Sequence, residues 1–521
     1  MDTDVCIVGA GAAGGIMALE LGRAGVKAVV LDSGPRHEFA RRASYVRTYL
    51  RRENPWQSPL PGHDRYTVGG GLAYAVDGRR VRGVGGSTLH WEGYALRLHA
   101  DDFRMRSLHG HGDDWPLSYA DLEPYYARAE VALGVAGVAD EPWGSPRSTA
   151  FPLPAFPFSY SDGRLARACG TIGIGFHHLP QARNSVAYDG RPRCQACATC
   201  HVCPTGAKAS VDLTHLPAAE STGNVRVVPE ANVVRLETDA AGRIGRVVYL
   251  HPDRVERRLT ASLFVLAAGG IENARLLLLS ASPRFPRGLA NGSGFVGTRF
   301  MAQPSVDAIG RVADNMYPYR IGFSTAMSRQ FALDRARSVR AGFLLEFLNS
   351  AGPRPDEIAR SSGLTGDALA RHVRAEFGTR VGIRIYGEHL PSQGNAISLN
   401  PRVKDYFGNP APHIAYGLGS YELDGLEAAR GVATKILQAA GATGIGFTPV
   451  SPAAHQIGTH RMGTDPRVSV VDPSLRAHDV DNLYLVGSGC FVTASAAPPT
   501  LTIAALALRA AEHIKARLRA G

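Results

Sequence analysis

The sequence lacks long hydrophobic runs and a cysteine framework, and each absence excludes a class of protein. No stretch of about eighteen or more uncharged apolar residues occurs, so we expect no membrane-spanning helix. The seven cysteines, four of them clustered in one short stretch, do not form the pattern of a small disulfide-stapled domain. No segment interleaves basic and aromatic residues, which argues against a nucleic-acid-binding groove.

The amino terminus also lacks a secretory leader. Met1 is followed at once by DTDVCIVGAGAAGG, an acidic start that leads directly into a structural motif. We therefore expect the chain to carry no export signal of its own. The formal net charge of +11 is explained by solubility and an arginine-rich composition, or by an acidic partner protein or an anionic membrane surface.

The composition is otherwise that of a soluble globular protein. Hydrophobic residues make up 45% of the chain and charged residues 20%. The length of 521 residues is enough for several domains and a large core. The 59 glycines and 33 prolines are spread along the chain, so they indicate tight turns and close backbone approaches instead of disorder.

The first strong motif is a glycine pattern set between two predicted strands. An apolar strand at Val5–Val8 precedes G-x-G-x-x-G, a helix is predicted over Ile16–Ala24, and a second strand over Ala28–Leu31 ends at Asp32. Gly9 allows the sharp turn, Gly11 lets the backbone approach a pyrophosphate, and Gly14 lets the helix pack on the strand, while Asp32 can accept hydrogen bonds from a ribose. The motif predicts a dinucleotide site for either FAD or NAD.

Later segments indicate which dinucleotide binds. VRGVGGSTLHWEG at 81–93, FVLAAGGIENARL at 264–276, HQIGTHRMGTDP at 455–466 and the carboxyl-terminal NLYLVGSGCFVTASAAPPTLT resemble the signature elements of the glucose–methanol–choline (GMC) family of flavin oxidoreductases. They occur in the order typical of that family, and the resemblance covers essentially the whole chain. It implies FAD as the cofactor. The cofactor contacts expected from the motifs are Gly9, Gly11, Gly14, Asp32, Gly85, Gly86, Ser87, His90, Val233, Ala268, Gly487 and Thr500.

The resemblance also implies an α/β fold with two units. A Rossmann-like FAD-binding domain would use residues 1–90, 205–300 and 450–521. A substrate domain of the α+β class, with an antiparallel sheet, would use residues 91–193 and 301–449. Residues 194–204 would form a separate cysteine-rich loop.

That loop reads CQACATCHVCP and spaces its cysteines evenly. Cys194, Cys197, Cys200 and Cys203 form C-x-x-C-x-x-C-x-x-C. Thiolates at this compact spacing favour an iron–sulfur cluster, whereas structural zinc usually draws two separated ligand pairs. Zinc and a metal-free loop remain as alternatives.

The loop in its context, ARNSVAYDGRPRC…CHVCPTGA, and the stretch DDWPLSYADLEPYYARAEVALGV at 113–135 resemble the catalytic subunits of bacterial FAD-dependent glucose and fructose dehydrogenases. That group carries a [3Fe–4S] cluster, with a cysteine spacing that differs from the one here. The resemblance favours Cys194, Cys200 and Cys203 as ligands, with Cys197 either spare or the fourth ligand of a [4Fe–4S] cluster.

The resemblance also identifies candidate catalytic residues. His455, the first histidine of HQIGTHRMG, would accept the proton of a substrate hydroxyl while hydride passes to flavin N5. His460 is either structural or catalytic. Glu388, in GEHLPSQGNAISL, would face the substrate pocket, or else be a solvated or salt-bridged residue.

Three positions depart from the family pattern or leave a choice open. Pro498 stands where the family has a second catalytic His or Asn, and proline offers no side-chain donor or acceptor. The role of the missing His or Asn would pass to His460, Ser495 or Glu388, or else the active site is rearranged. MAQP at 301–304 replaces an Asp-His before the proline, and His90 aligns with a position that in one relative is bonded covalently to the flavin.

The resulting prediction is an FAD-dependent dehydrogenase of a sugar or polyol that passes electrons through the cluster. A small accessory subunit and a cytochrome c would be its partners. The protein would be located on the periplasmic side of a membrane, with the cytoplasm as the alternative. An oxygen-using oxidase with a structural cysteine loop, or a flavoprotein without net oxidation such as a lyase, are the competing predictions.

Overall fold

A computed structural model describes residues 2–520, and within them the chain forms nineteen strands and eleven α-helices. The strands are β1 (Thr3–Val8), β2 (Ala28–Leu31), β3 (Thr67–Gly69), β4 (Ala136–Gly137), β5 (Leu153–Pro154), β6 (His177–His178), β7 (Val225–Val228), β8 (Asn232–Thr238), β9 (Ile244–Leu250), β10 (Glu256–Leu266), β11 (Pro304–Arg311), β12 (Ser324–Ser328), β13 (Phe343–Leu348), β14 (Arg380–Gly387), β15 (Ala396–Lys404), β16 (Pro410–Ala415), β17 (Thr443–Phe447), β18 (Ser451–Pro452) and β19 (Leu483–Leu485). The helices are α1 (Ala12–Arg23), α2 (Arg42–Leu50), α3 (Met105–His109), α4 (Tyr119–Leu133), α5 (Tyr160–Thr171), α6 (His215–Glu220), α7 (Gly269–Leu279), α8 (Pro355–Ser362), α9 (Gly366–Glu376), α10 (Ser420–Ala439) and α11 (Thr500–Ala520).

The first sheet carries the predicted dinucleotide motif at its centre. Strands β7, β2, β1, β10 and β19 run parallel in that order, and Val5 pairs with Ala28 on one side and Leu263 on the other. The amino-terminal half of β10 instead pairs antiparallel with β9, which pairs with β8. Short, wholly apolar strands such as Ala28–Leu31 suit the centre of a parallel sheet, because helices cover both faces.

Helix α1 contacts β1, β2 and β7 of the parallel sheet and also packs against α6 and α11. Its close approach to β1 depends on Gly14, where an added Cβ would lie 1.9 Å from the carbonyl oxygen of Gly9. The strand–helix–strand unit predicted from the sequence is therefore confirmed, with α1 beginning four residues earlier than the hydrophobic periodicity indicated.

The second sheet is antiparallel and has its own core. Its strands run in the order β17, β11, β14, β13, β12 and β6, with β18 also paired to β11. Helix α10 packs on β11, β13 and β14, and α5 packs on α10. Apolar residues of these elements, including Phe343, Ile383 and Leu437, form a core cluster separate from that of the first sheet. The α/β fold with an added antiparallel sheet is confirmed.

A small third sheet joins segments from the two predicted domains. It consists of β15, β16 and β3, and α7 of the first unit contacts both β15 and β16. In addition β18 belongs to the second sheet although it lies in the carboxyl-terminal segment. The domain boundaries proposed from the sequence stay a prediction, since the sheets exchange strands at these places.

Across residues 2–520, none of the helices combines the length and apolarity needed to cross a bilayer.

Candidate active site

A cavity of about 800 Å³ opens at the carboxyl ends of β1, β2, β10 and β19. In parallel sheets this edge is the usual ligand site, because the strand-to-helix turns converge there with backbone N–H groups exposed. The cavity continues from these turns to the second sheet, where Ser305, Arg384 and Tyr386 line it. It is therefore bounded on one side by glycine turns and on the other by polar side chains.

The turn after β1 allows a ligand to approach its backbone closely. Gly9 has φ of +104°, and a Cβ there would lie 2.6 Å from the carbonyl oxygen of Ala267. A Cβ at Gly86 would lie 2.8 Å from Cα of Gly11, so two glycine turns meet at this point. The first turn of α1 contains no acidic residue, which leaves its N–H groups and the positive end of the helix dipole available to a phosphate. These features fit the pyrophosphate of a dinucleotide.

Asp32 lies at the end of β2 and lines the same cavity. Its carboxylate accepts hydrogen bonds from the backbone N–H groups of Ala10 and Gly34, each at 2.9 Å. Burial raises the pKa of Asp32, and these two hydrogen bonds oppose the shift. The side chain is thus fixed at the turn with lone pairs left for a ribose hydroxyl.

Most of the predicted cofactor contacts lie around this one cavity. Those that line it are Gly9, Gly11, Asp32, Gly86, Ser87, His90, Val233, Ala268, Gly487 and Thr500. Gly14 and Gly85 lie behind it: Gly14 packs the helix on the strand, and a Cβ at Gly85 would meet Asp212 and Leu89 at 3.0 Å. The residues present therefore fit FAD. A covalent link at His90 stays a prediction.

His455 lines the cavity and is held through one ring nitrogen. Its Nδ1 lies 2.6 Å from Oε1 of Gln303, and among the described residues Nε2 has no hydrogen-bond partner. Burial lowers the pKa of His455 to about 4, while the charge of Glu92 acts in the opposite direction. The imidazole is therefore neutral at physiological pH, as a general base must be.

Pro498 also lines the cavity, but the three residues considered as substitutes for the missing catalytic group do not. Ser495 donates its hydroxyl hydrogen to Asp102 at 2.9 Å. His460 is completely buried, and its ring lies against Gly489, where an added Cβ would be 1.8 Å from Cε1. The geometry gives no support to a catalytic role for His460 and favours the structural one.

Glu388 is likewise buried away from the cavity. Its Oε2 accepts from Nε of Arg337 at 2.8 Å and from the N–H of Gly342 at 3.1 Å, and Tyr421 donates to its other oxygen at 3.0 Å. Arg337 also donates to Asp102 at 2.8 Å. Of the two alternatives for Glu388, the structure places it in the salt-bridged one and not at the cavity, because the internal Arg337 attracts the carboxylate.

The sequence reasoning missed a group of polar residues on the cavity wall beside His455. Tyr386 has its ring centroid 6.2 Å from that of His455, and Arg384 forms a paired contact with Asp307 at 2.8 and 3.0 Å. Oε1 of Glu92 lies 3.2 Å from Nε2 of His201. The other carboxylate oxygen, Oε2, is buried and has no hydrogen-bond partner among the described residues. Alternation along β14 indicates only that 384 and 386 share a face, and no motif marks them.

The four thiols of the cysteine loop differ in how far they are buried. Cys200 and Cys203 are buried, Cys194 is half-buried and Cys197 is exposed. One nitrogen of Arg183 lies 3.6 Å from the sulfur of Cys194 and 4.0 Å from that of Cys200. The sulfur of Cys197 contacts Thr199 instead, at 3.0 Å.

Backbone N–H groups and a buried lysine surround the same sulfurs. Ala196 donates its N–H to Cys194 at 3.4 Å, and Lys208 donates its N–H to Cys203 at 3.2 Å. Such bonds stabilise thiolate ligands. Yet within residues 2–520 no three or more His, Cys, Asp or Glu side chains converge as ligands of a metal ion. The cysteines thus do not converge as a ligand set in this structure, and burial raises the pKa of the Cys200 thiol to about 12, with the charge of Arg183 opposing the shift.

The loop is connected directly to the cavity. His201, within the cysteine run, lines the cavity, and its carbonyl accepts from Nε1 of Trp56 at 2.8 Å. Lys208 donates through Nζ to the carbonyls of Thr88, Leu89 and Trp91 at 2.7 to 3.2 Å, in the segment that also contributes Ser87 and His90 to the cavity wall. Burial lowers the pKa of Lys208 to about 8. Lys208 thus joins the two regions, because its Nζ binds the cofactor segment and its backbone N–H binds Cys203.

Comparison with known proteins agrees with this geometry. The chain matches the GMC oxidoreductase family over residues 63–305 and 391–507, and an FAD binding domain over residues 2–49. It is 34% identical to the fructose dehydrogenase large subunit of Gluconobacter japonicus, over 100% of this chain and 99% of that one. It is 29% identical to 2-methyl-1,2-propanediol dehydrogenase of Mycolicibacterium austroafricanum, over 99% and 95% of the two chains.

The fold is shared with solved structures of low sequence identity. The structure of a formate oxidase superposes with a TM-score of 0.70 at 16% identity, covering 99% of this chain and 98% of that one. Together with the FAD-shaped cradle and the family matches, this agreement identifies the chain as a member of the GMC oxidoreductase family and an FAD-dependent oxidoreductase.

Proposed function

We propose that this protein is a dehydrogenase that oxidises a hydroxyl-bearing carbon of a sugar or related polyol. The observation that carries the proposal is the placement of His455, a neutral histidine with one ring nitrogen held and the other open, in the cavity that fits FAD. When bound, FAD supplies the hydride acceptor. The fructose and diol dehydrogenases among its relatives support a hydroxyl compound as substrate.

His455 would accept the hydroxyl proton at Nε2. Tyr386 would take over the donor role that Pro498 lacks, because its phenol lines the cavity on the same side. Burial raises the pKa of Tyr386, so its hydroxyl stays protonated and can donate to the substrate oxygen. Removing the hydroxyl in Tyr386→Phe is expected to lower kcat roughly 10- to 100-fold with FAD retained.

Glu92 would contribute to recognition of the substrate. Its Oε2 is buried on the cavity wall without a partner among the described residues, and a buried carboxylate oxygen gains most from a hydrogen-bond donor. A hydroxyl hydrogen of a polyol is such a donor. The bound pair Arg384–Asp307 lies on the same wall and offers further polar contacts.

The reduced enzyme would pass its electrons to an external acceptor at the cysteine loop. Cys194, Cys200 and Cys203 would hold an iron–sulfur cluster, which supplies one-electron transfer when present. The hydrogen bonds to these sulfurs, the nearby Arg183 and Lys208, and the contact of His201 with the cavity support this assignment. The relative named as a large subunit supports an assembly with a further subunit. A small accessory subunit and a cytochrome c, on the periplasmic side of a membrane, are the partners and the location that we propose.

The proposal is tested by iron and acceptor measurements on protein purified without oxygen. About three or four irons per FAD, with substrate-dependent reduction of a cytochrome or dye and little hydrogen peroxide, is the expected result. Full FAD without iron, together with steady peroxide formation, would identify an oxygen-using oxidase. Full FAD that no sugar, polyol or simple alcohol reduces would overturn the oxidation itself.

A further inference from the structure

Gln303 lies between His455 and the loop that contains Pro498, and it is completely buried. Its amide nitrogen donates to the carbonyl oxygens of Ser495 at 2.6 Å and Ala497 at 2.8 Å. Carbonyl oxygens only accept hydrogen bonds, so they fix the orientation of the amide: the NH₂ group faces the loop. The amide oxygen must then face His455.

This orientation determines where the imidazole proton lies. The amide oxygen of Gln303 accepts only, and it is 2.6 Å from Nδ1 of His455, so Nδ1 carries the hydrogen. In a neutral imidazole the second nitrogen then has a free lone pair. That nitrogen, Nε2, is the one left open towards the cavity.

The loop to which Gln303 is bonded is itself firmly held. Ser495 donates to Asp102 at 2.9 Å, and Asp102 is ion-paired with Arg337 at 2.8 Å. Arg337 is paired in turn with Glu388 at 2.8 Å, and both side chains are almost completely buried. Gln303 thus connects His455 to a buried network of charges that does not touch the cavity.

We infer that Gln303 is a positioning residue that holds His455 in its Nδ1–H tautomer, with Nε2 as the proton-accepting atom. The inference rests on the proposed function for the role of His455, but the tautomer is a property of the protein that can be measured without turnover. Glu388 and Asp102 support the same arrangement from behind the loop. The residue that distinguishes this chain in the segment MAQP therefore has a defined task.

The test uses ¹⁵N-histidine NMR of the FAD-loaded protein, with His455→Gln to assign the resonances. A protonated Nδ1 and an unprotonated Nε2 at pH 7 is the expected result. A proton on Nε2 would overturn the inference even in the wild-type protein, so the test does not depend on any variant folding. Failure of the proposed oxidation would appear separately, as flavin that no polyol reduces.

The variant Gln303→Leu removes the acceptor, and Gln181→Leu is its matched control. Gln181 is also buried and donates to a carbonyl, that of Ser324 at 2.8 Å, but its side chain forms no hydrogen bond with His455. We expect Gln303→Leu to lower kcat roughly 10- to 100-fold, with less change in KM, and to redistribute the His455 proton. Gln181→Leu should change neither. Unchanged kcat and tautomer in a folded Gln303→Leu variant would contradict the positioning role.

Discussion

The cofactor cradle and the cysteine loop lie side by side, yet they are built in opposite ways. The cradle is formed by backbone: a Cβ added at Gly9 or Gly86 would lie less than 3.0 Å from neighbouring backbone atoms, so side chains are excluded at these two positions. The cysteine loop is defined by side chains, and its four evenly spaced thiols occupy buried, half-buried and exposed positions. Backbone geometry follows from glycine spacing, whereas a ligand set depends on which way each side chain points. Even sequence spacing therefore does not imply four equivalent ligands.

The largest effect should follow from inserting a methyl group at Gly14, directly behind the cradle, where the helix packs on the strand. In Gly14→Ala the new Cβ would lie 1.9 Å from the carbonyl oxygen of Gly9, so β1 and α1 must separate. We expect loss of bound FAD and a free energy of unfolding lower by about 3 kcal/mol or more. Flavin absorbance per protein and denaturant unfolding measure both.

Gly163→Ala is the matched control for this substitution. Gly163 lies within α5, and a Cβ there meets nothing within 4 Å. The replacement should leave FAD content unchanged and stabilise the helix by about 0.5–1 kcal/mol. Full FAD occupancy and normal stability in Gly14→Ala would contradict the account of the cradle.

The next test compares two cysteines of one loop. Cys200 is buried near Arg183, and Cys197 is exposed and turned towards Thr199. We expect Cys200→Ser to lose the iron and the transfer of electrons to a cytochrome, while Cys197→Ser keeps most of both. Metal analysis and cytochrome reduction are the measurements. Equal loss in the two variants would show that all four cysteines are ligands.

FAD occupancy serves as the internal control for both cysteine variants. The cradle residues contribute no side chain to the loop, so flavin content and anaerobic flavin reduction by substrate should be preserved. Loss of FAD in Cys197→Ser would mean that the two regions are not independent.

A smaller effect is expected at the boundary between the two regions. Glu92 lines the cavity and also contacts His201 of the cysteine run. The variant Glu92→Gln removes the negative charge and should raise KM for a polyol about 10-fold. This factor corresponds to a loss of about 1.4 kcal/mol of binding free energy, as expected for weakening a hydrogen bond to a charged group. Steady-state kinetics measure this change, and the iron content should stay the same.

The surface substitution Glu427→Gln is the control for Glu92→Gln, since the side chain of Glu427 is 77% exposed. It should leave KM unchanged. If Glu92→Gln also left KM unchanged, the substrate would not bind to that wall of the cavity.

The smallest effect concerns pH. A base acts when it is unprotonated, and burial lowers the pKa of His455 to about 4. The value of kcat/KM should therefore stay level from neutral pH down to about pH 5 and fall as the pH passes through about 4. Because the charge of Glu92 raises this pKa, Glu92→Gln should move the acid limb to still lower pH. An acid limb near 6.5 would contradict the burial of the base.

Sequence reasoning succeeded where function depends on local spacing. The turn at Gly9 and Gly11 and the position of Asp32 follow from a short motif whose neighbours are close in the chain, and His455 was identified by the resemblance of HQIGTHRMG to the family's motif. Gln303 was noticed only as a departure from the family pattern. Its task depends on Ser495 and Ala497, which lie almost two hundred residues further along the chain.

The same reason explains the residues that sequence reasoning missed or left open. Glu92 faces the cavity because of packing with His201, 109 residues away. For Glu388 the sequence left a pocket-facing and a salt-bridged position open, and the contacts with Arg337 and Tyr421 decide for the second. Such positions are determined by long-range packing, for which a single sequence contains no periodic signal.

The central claim is that His455 and the adjoining cavity oxidise a polyol by reducing FAD. It is tested most directly by mixing oxygen-free enzyme with fructose, other sugars and simple diols, and following the flavin absorbance. The account predicts that at least one polyol bleaches the flavin rapidly, and that His455→Gln, with full FAD, does so more slowly by a factor on the order of 10² to 10⁴. Equal bleaching rates in the two proteins, or no bleaching by any polyol, would contradict it.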